Sequence, residues 1–184
     1  DQRVAQWLLG VGALAVPVPN AIGAGPGIGA WLEALSPHAV VMTGGNDVGG
    51  CPLRDATETA LIGFASLRNI PLLGICRGMQ MLAHHAGSPP VRVTGHVRTR
   101  HALLGDEVES GRLPDEVNSY HDWGLVACPP GYRCLAHAPD GTIEAIRHEH
   151  RPWEGWMWHP EREAGFNPLD GHRAHRLLIQ GHTP

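Results

Sequence analysis

The sequence predicts an α/β fold: a doubly wound, mostly parallel sheet with a small antiparallel extension. Short apolar strands alternate with helical segments over residues 2–93, a pattern typical of parallel sheets covered by helices on both faces. Three more strand-like segments follow one another over residues 132–159, which indicates the antiparallel part. The chain has 184 residues, of which 42% are hydrophobic and 17% charged. We therefore expect one domain, 1–184, with a single buried core.

The first half of the chain supplies the alternating elements. Val4, Trp7 and Leu8 recur at helical spacing, and the same periodicity marks the later helices. Asp55 and Glu58 have the spacing of an N-terminal capping box, and Gly87 follows a helix as a C-terminal stop. In order, we expect a helix at 2–9, a strand at 13–18, a helix at 28–35, a strand at 39–42, a helix at 55–69, a strand at 71–75, a helix at 77–86 and a strand at 91–93.

The second half is richer in strands. A turn at residues 139–141, Pro-Asp-Gly, predicts a hairpin between two of them. In order, we expect strands at 116–121, 132–137, 142–147 and 155–159, and a closing helix at 170–180.

Composition excludes several kinds of chemistry. All 14 basic residues are arginine, so no lysine Schiff base, pyridoxal-phosphate anchor or Walker A lysine exists. A net charge of −4 without a long basic cluster argues against nucleic acid as a partner. No apolar run approaches the ~20 residues of a membrane helix, so we expect no membrane partner. Four cysteines in a chain of this length favour a reducing compartment, and we expect a cytoplasmic protein.

The most specific motif is a turn that presents a cysteine. Gly74 and Gly78 flank Cys76 by two residues on each side, between a buried strand and a helix. This is the thiol form of the nucleophile elbow, in which a strained turn lifts the central side chain to the carboxyl end of the sheet. The following helix N-terminus favours a thiolate, and the Arg77 backbone N–H points toward a developing oxyanion. The alternative is a buried structural cysteine.

A base and its orienting group follow in His159-Pro160-Glu161. The chain has 13 histidines, so a lone histidine says little, but His159 comes directly after an apolar strand. Side chains two residues apart face the same side of an extended chain, so Glu161 can reach one ring nitrogen while the other faces the thiol. The alternative for this segment is a strand-ending turn with a surface glutamate.

Together these motifs resemble the class I glutamine amidotransferase family, and within it the stand-alone γ-glutamyl hydrolase branch (peptidase C26 type). The resemblance covers nearly the whole chain, and the combination of elbow and His-Pro-Glu is highly specific. It implies the flavodoxin-like sheet of that family, without the first strand with which members usually open. The segments that carry it are Thr43-Gly44-Gly45-Asn46-Asp47, Arg54-Asp55 with Glu58, the Cys76 elbow with Gln80, Val117-Asn118-Ser119-Tyr120-His121, residues 140–145 (Asp-Gly-Thr-Ile-Glu-Ala) and His159-Pro160-Glu161.

The resemblance also implies roles for individual residues. The catalytic triad would be Cys76, His159 and Glu161, acting on a small-molecule γ-glutamyl substrate without cofactor or metal. The oxyanion would be stabilised by backbone N–H groups of Arg77 and of the Gly44-Gly45 loop. The substrate pocket would be lined by Gln80, Asn118, Ser119 and His121, with Arg54 reaching the leaving group. A glutaminase subunit serving a separate synthase is the alternative, and the sequence leaves open a synthase partner or a homodimer.

Two other kinds of motif could indicate a ligand site, but the residues argue against both. Residues 25–30 fit the pattern G-x-G-x-x-A of dinucleotide sites, but Pro26 removes a backbone donor from that loop, so we expect no dinucleotide there. The segments 148–150, His-Glu-His, and 172–175, His-Arg-Ala-His, carry paired histidines. Neither has the cysteine or aspartate spacing of a structural zinc site, and we interpret both as solvated polar segments.

Overall fold

The computed structural model describes residues 2–181 and places a five-stranded sheet at the centre of the molecule. The helices are α1 (Gln2–Val11), α2 (Ile28–Leu35), α3 (Pro52–Arg68), α4 (Arg77–His85), α5 (Asp106–Glu109) and α6 (Pro168–Leu178). The strands are β1 (Val40–Met42), β2 (Leu72–Ile75), β3 (Val91–Arg92), β4 (Val97–Ala102), β5 (Glu116–Tyr120), β6 (Trp123–Gly124), β7 (Tyr132–His137), β8 (Ile143–His148) and β9 (Trp153–Trp156). Two short 3-10 helices span Ile22–Ala24 and Pro160–Arg162.

The central sheet has the order β1-β2-β9-β8-β7. Strands β1, β2 and β9 run parallel, whereas β8 and β7 join them as an antiparallel extension. The pairing of Ile75 with Trp156 brings the carboxyl ends of β2 and β9 to one edge of the sheet. The predicted fold class is confirmed, and this edge is where open α/β sheets bind ligands.

Helices cover both faces of the sheet. Leu73 and Ile75 of β2 pack with residues of α1 and α6 on one face, while Leu72 packs with residues of α2, α3 and α4 on the other. The alternation follows from the two-residue period of a strand. All three side chains have no exposed surface, as the fully apolar sequence of a central parallel strand predicts.

Two antiparallel, two-stranded sheets lie outside the central sheet, near the carboxyl ends of its parallel strands. Strand β4 pairs with β5, and β3 pairs with β6. Strands β3 and β5 match the predicted strands, whereas β4, β6 and the short helix α5 were not predicted. Strand β4 is mostly exposed and carries arginine, threonine and histidine instead of an apolar alternation, so its sequence gives little signal.

Two predicted features are wrong. Residues 13–18 form no strand, because Pro17 and Pro19 lack the N–H groups that a sheet ladder needs. These residues instead line a cavity of about 800 Å³ that runs along β1. The capping box is also absent, since α3 begins at Pro52, three residues before Asp55.

A buried ion-pair network attaches α6 to the sheet. Arg173 of α6 donates two hydrogen bonds to Glu154 of β9, at 2.7 and 3.0 Å, and a third to Glu107 of α5 at 2.8 Å. Contacts with arginine, opposed by partial burial, lower the pKa of Glu107 to about 2. Removing one partner of such a network leaves an uncompensated buried charge and is strongly destabilising.

Within residues 2–181, no helix combines the length and the apolar character that crossing a membrane requires.

Asp170 makes the stability of this fold dependent on pH. Burial in the first turn of α6 raises the pKa of Asp170 to about 7, and its carboxylate accepts a hydrogen bond from Trp158 Nε1 at 3.2 Å. An unfolded aspartate titrates near pH 4, so between about pH 4 and pH 7 the folded state binds more protons than the unfolded state. The free energy of unfolding therefore falls as pH rises through this range.

Asp170→Asn keeps the hydrogen-bond acceptor and cannot ionise. We expect urea denaturation to show a stability gain over wild type that is larger at pH 8 than at pH 5, by on the order of 2 kcal/mol. Asp115→Asn, at an exposed position, is the matched control and should give no such trend. Equal gains at both pH values would contradict the raised pKa.

Candidate active site

Cys76 stands at the turn between β2 and α4 in a backbone conformation that side chains rarely adopt. Its φ is 52° and its ψ is −105°, and strain of this kind in a non-glycine residue is typical of nucleophile elbows. The Cys76 backbone N–H donates to the Trp156 carbonyl at 2.7 Å, which ties the turn to β9. The side chain is buried, with 6% exposed.

The two elbow glycines are required by close packing of backbone. A Cβ on Gly74 would lie 2.5 Å from the carbonyl carbon of Gly78, so the strand and the following helix approach closely only without it. A Cβ on Gly78 would overlap the Met42 carbonyl of β1. The spacing of these glycines around Cys76 is thus a packing requirement of the turn.

Burial, rather than the helix N-terminus, dominates the ionisation of Cys76. Burial raises the pKa of the Cys76 thiol to about 12, although a hydrogen bond from the Arg77 backbone N–H and the nearby Arg162 charge lower it. The helix N-terminus, which was expected to favour a thiolate, is thus outweighed by burial. The thiol must lose its proton to a base when it reacts.

His159 and Glu161 form a buried hydrogen-bonded pair. The His159 Nδ1–H donates to Glu161 Oε1 at 2.7 Å, and both residues are 2% exposed. The backbone between them belongs to the 3-10 helix Pro160–Arg162, not to an extended strand as predicted. The pair leaves Nε2 as the ring nitrogen that can accept a proton, an arrangement found where a carboxylate orients a catalytic histidine.

Asn118 holds the backbone of His159 in place. Its Oδ1 accepts from the His159 N–H at 3.0 Å, and its Nδ2 donates to the His159 carbonyl at 2.8 Å. The same Nδ2 lies 2.7 Å from Glu163 Oε1. Asn118 was expected in the substrate pocket; in the structure its amide bonds the His159 backbone and Glu163.

Further groups support the histidine from outside. Arg3 donates to the backbone carbonyls of Glu161 at 2.7 Å and Glu163 at 2.6 Å. The Tyr120 ring meets the His159 ring edge to face, with centroids 5.9 Å apart. These contacts join segments that are far apart in sequence, so no local pattern could have indicated them.

The Gly44-Gly45 loop lies against the histidine. A Cβ on Gly44 would overlap the His159 ring, and one on Gly45 would overlap the Arg54 guanidinium. Arg54 donates to the carbonyls of Thr43 at 2.6 Å and Gly44 at 3.1 Å. Arg54 was expected to reach the leaving group; here its guanidinium holds the backbone of this loop.

The Arg77 side chain anchors α4 to α3. Its guanidinium is 1% exposed and forms ion pairs with Asp55 and Glu58. Glu58 also accepts from Arg54 at 2.8 Å. One carboxylate of α3 therefore fixes both the arginine after the nucleophile and the arginine behind the glycine loop.

Gln80 lies one helical turn after Cys76, as predicted from the spacing. Its Nε2 donates to the Trp123 carbonyl at 2.9 Å. The Trp123 indole N–H donates to Asp47 Oδ2 at 3.1 Å. Gln80, Trp123 and Asp47 line a pocket of about 310 Å³, while His159 and Glu161 border the larger cavity along β1.

Ser119 and His121 make internal contacts. The Ser119 hydroxyl donates to the His96 carbonyl at 2.7 Å, and the His121 ring faces Glu144. Neither residue lines either of the two cavities described above. Their expected contact with substrate stays a prediction.

The glycine-rich segment 23–29, which contains most of the dinucleotide-like motif, packs against α3 through Gly23. The Gly23 N–H donates to the Thr57 hydroxyl at 3.0 Å, and a Cβ at Gly23 would overlap Thr57. Because residues 13–19 form no strand, the segment lacks the strand that precedes the turn in dinucleotide-binding sites.

Comparison with known proteins identifies the family. The family model for class-I glutamine amidotransferases matches residues 28–168. The chain is 34% identical to γ-glutamyl-CDP-amidate hydrolase of Campylobacter jejuni over 137 residues, which cover 71% of this chain and 66% of that protein. It is 30% identical to γ-glutamyl-γ-aminobutyrate hydrolase of Escherichia coli O157:H7 over 162 residues, which cover 74% of this chain and 62% of that protein.

Synthase-associated proteins are similar to a comparable degree. The chain is 32% identical to a glutamine-hydrolysing GMP synthase subunit of Methanothrix thermoacetophila over 130 residues, covering 68% of this chain and 71% of that protein. The crystal structure of a GMP synthase subunit-like protein from Thermoplasma acidophilum superposes with a TM-score of 0.72 and 24% identity, covering 97% of this chain and 85% of that one. The chain thus spans about two thirds of the length of the two hydrolases.

The raised pKa of Cys76 predicts the pH dependence of its alkylation. Below a pKa of about 12, each pH unit raises the thiolate fraction about tenfold. We expect the rate at which iodoacetamide modifies Cys76, followed by mass spectrometry of its peptide, to rise steadily to about pH 10 without levelling. Cys128 is the internal control: it is exposed, burial of its thiol raises its pKa only to about 11, and it should therefore react faster than Cys76. A plateau for Cys76 near neutral pH would instead reveal a preformed thiolate–imidazolium pair.

Proposed function

The chain belongs to the class-I glutamine amidotransferase family, and we propose that it is a cysteine-dependent hydrolase of a γ-glutamyl amide-type bond. The observation that carries the proposal is the position of Cys76, His159 and Glu161 at adjacent carboxyl ends of β2 and β9. A strained thiol, a histidine and an orienting carboxylate at one sheet edge have the composition of a nucleophilic acyl-transfer site.

In the first half of the reaction, the Cys76 sulfur attacks the γ-carbonyl carbon. The thiol proton passes to His159 Nε2, because Nδ1 already donates to Glu161. The carbonyl oxygen gains the negative charge of the tetrahedral intermediate. When the C–N bond breaks, His159 returns the proton to the leaving nitrogen, and a γ-glutamyl thioester stays on Cys76.

In the second half, water replaces the leaving group. His159 takes a proton from the water as its oxygen attacks the thioester carbon. The C–S bond then breaks, and the proton restores the Cys76 thiol while glutamate is released. Glu161 orients the imidazole throughout and stabilises the imidazolium that forms twice. No step of this sequence uses a cofactor or a metal.

The oxyanion is assigned to backbone N–H groups. The Arg77 N–H already contributes a hydrogen bond at Cys76, and the Gly44-Gly45 loop lies against His159. One donor of this kind contributes about 10²–10³ in kcat in other acyl-transfer enzymes. Arg54 would hold the loop at the required distance through its bonds to the Thr43 and Gly44 carbonyls.

The specific substrate that we favour is a γ-glutamyl-CDP-amidate, by similarity to the Campylobacter jejuni hydrolase. The products would be glutamate and a CDP-linked phosphoramidate, as used in capsule synthesis. A γ-glutamyl-γ-aminobutyrate bond is the second candidate, by similarity to the Escherichia coli hydrolase. We also propose that the protein is cytoplasmic.

The alternative function is that of a glutaminase subunit that supplies ammonia to a separate synthase. The Methanothrix thermoacetophila GMP synthase subunit is similar over 68% of this chain. In this role the protein would bind a synthase as its partner. A homodimer is the other possible assembly. Glutamate release from glutamine, compared with release from substituted γ-glutamyl compounds, separates the two functions. A stand-alone hydrolase should prefer the substituted compounds, whereas an ammonia-supplying glutaminase should accept only glutamine.

Three variants test the triad. Removing the base should cost several orders of magnitude in kcat/KM, because Cys76 loses both the acceptor for its proton and the donor to the leaving group. We therefore expect His159→Ala to nearly abolish glutamate release and Glu161→Gln to slow it by a smaller factor. Members of one catalytic unit act non-additively, so the double variant should resemble His159→Ala.

The control is Glu163→Gln, whose carboxylate contacts Asn118 rather than the imidazole, and it should retain most activity. Losses that simply multiply in the double variant would contradict the role of Glu161. Full turnover by Cys76→Ala, with its fold verified by circular dichroism, would overturn the proposed mechanism.

A further inference from the structure

Four side chains outside the triad, three of them buried and His101 half-buried, converge on one point. They are His96, His101, His121 and Glu144, and their potential ligand atoms all lie within 4.8 Å of one another. The antiparallel pairing of β4 with β5 brings the three histidines together, since the His121 N–H donates to the His96 carbonyl at 3.1 Å. Glu144 comes from strand β8 of the central sheet. Their separation in sequence explains why no ligand spacing was visible.

The inward-facing ring nitrogens lie within ion-pair distance of Glu144 Oε1 but form no hydrogen bond to it. From Glu144 Oε1, the distances are 3.5 Å to His96 Nδ1, 3.6 Å to His101 Nε2 and 3.4 Å to His121 Nε2. Among residues 2–181, none of these four atoms has a hydrogen-bond partner, and neither does Glu144 Oε2. The Glu144 side chain is fully buried, and no donor among the described residues forms a hydrogen bond to its carboxylate.

The outward nitrogens of two histidines fix which ring nitrogen carries the proton. His101 Nδ1 lies 3.1 Å from the Ala102 carbonyl, and His121 Nδ1 lies 3.0 Å from the Trp123 carbonyl. A carbonyl can only accept, so both histidines donate from Nδ1. In the neutral imidazoles the lone pairs are then on Nε2, the atoms that face the Glu144 carboxylate.

His96 also uses one ring nitrogen as an outward donor, but its acceptor is a carboxylate instead of a backbone carbonyl. His96 Nε2 donates to Asp140 Oδ2 at 2.9 Å, which leaves Nδ1 as the inward lone pair. Histidines that bind metals almost always donate their other N–H to a carboxylate or a backbone carbonyl. All three histidines of this cluster meet that requirement.

We propose that this cluster is a metal site for a divalent transition ion of the Zn²⁺ type. Three lone pairs and a carboxylate that face one another in a buried space repel, and a cation among them removes the repulsion. In a tetrahedral site with Zn–N distances of about 2.0–2.1 Å, donor atoms lie about 3.4 Å apart. The distances from Glu144 Oε1 are 3.4–3.6 Å, and the other separations extend to at most 4.8 Å, so the histidine nitrogens would draw together around the ion. Four protein ligands complete a closed, structural site.

The metal would support one wall of the active site. It would join β4, β8 and the turn after β5, and this turn leads directly to Trp123. The Trp123 carbonyl accepts from both His121 Nδ1 and Gln80 Nε2. The site thus fixes the backbone to which Gln80 is bonded, and no step of the proposed hydrolysis passes through it.

Metal binding can be measured without any assay of activity. The protein is stripped with a chelator, and Zn²⁺ is then titrated in competition with a chromogenic chelator. We expect one ion per chain, and about 100-fold or greater loss of affinity in His101→Gln and in Glu144→Gln. His150→Gln, at an exposed histidine, should bind like wild type. Cys76→Ala should do so as well, which excludes binding by Cys76 and His159.

Spectroscopy of the wild-type protein keeps the test decisive if a ligand variant does not fold. Co²⁺ in the proposed site should give intense visible d–d bands, because tetrahedral coordination permits them, without an ultraviolet thiolate charge-transfer band. Failure to bind Zn²⁺ would overturn the proposal. So would a thiolate band, or binding that is lost in Cys76→Ala and kept in His101→Gln.

Discussion

The structure depends on the close backbone contact that holds Cys76 in a strained conformation. Gly74 and Gly78 allow β2, α4 and the Met42 carbonyl of β1 to approach more closely than any Cβ would permit. This packing stabilises the positive φ of Cys76 and directs its thiol to the edge where β9 also ends. The cost of the arrangement is desolvation, which raises the pKa of the thiol to about 12. The nucleophile therefore depends on a base that is held equally firmly.

That base is held by contacts from distant parts of the chain. Glu161 binds one ring nitrogen of His159 and Asn118 binds both backbone groups, so the imidazole has little freedom of position or tautomer. Preorganisation of this kind lowers the reorganisation needed during acyl transfer. The Gly44 loop packs against the same ring, so a single histidine connects the proposed oxyanion site to the orienting carboxylate.

Sequence reasoning succeeded where a function is encoded in a few consecutive residues. The elbow around Cys76 and the short His159–Glu161 segment are local, and alternating apolar segments predicted the parallel sheet. It failed where strand pairing brings distant residues together. Asn118 lies 41 positions from His159, and the three histidines beside Glu144 meet because β4 pairs with β5. The apolar residues 13–18 were misassigned because their composition resembled a strand while their prolines prevented pairing.

The central claim is that Cys76 carries the γ-glutamyl group during turnover, and rapid acid quenching followed by intact-mass and peptide mass spectrometry tests it most directly. Mixing the protein with a slowly hydrolysed γ-glutamyl substrate should give a mass increase of one γ-glutamyl group, located on the peptide that contains Cys76. Glu161→Gln should accumulate more of this adduct if hydrolysis of the thioester becomes the slower step. Turnover of the same substrate with no adduct at any quench time, or with the adduct on Cys51, would contradict the account.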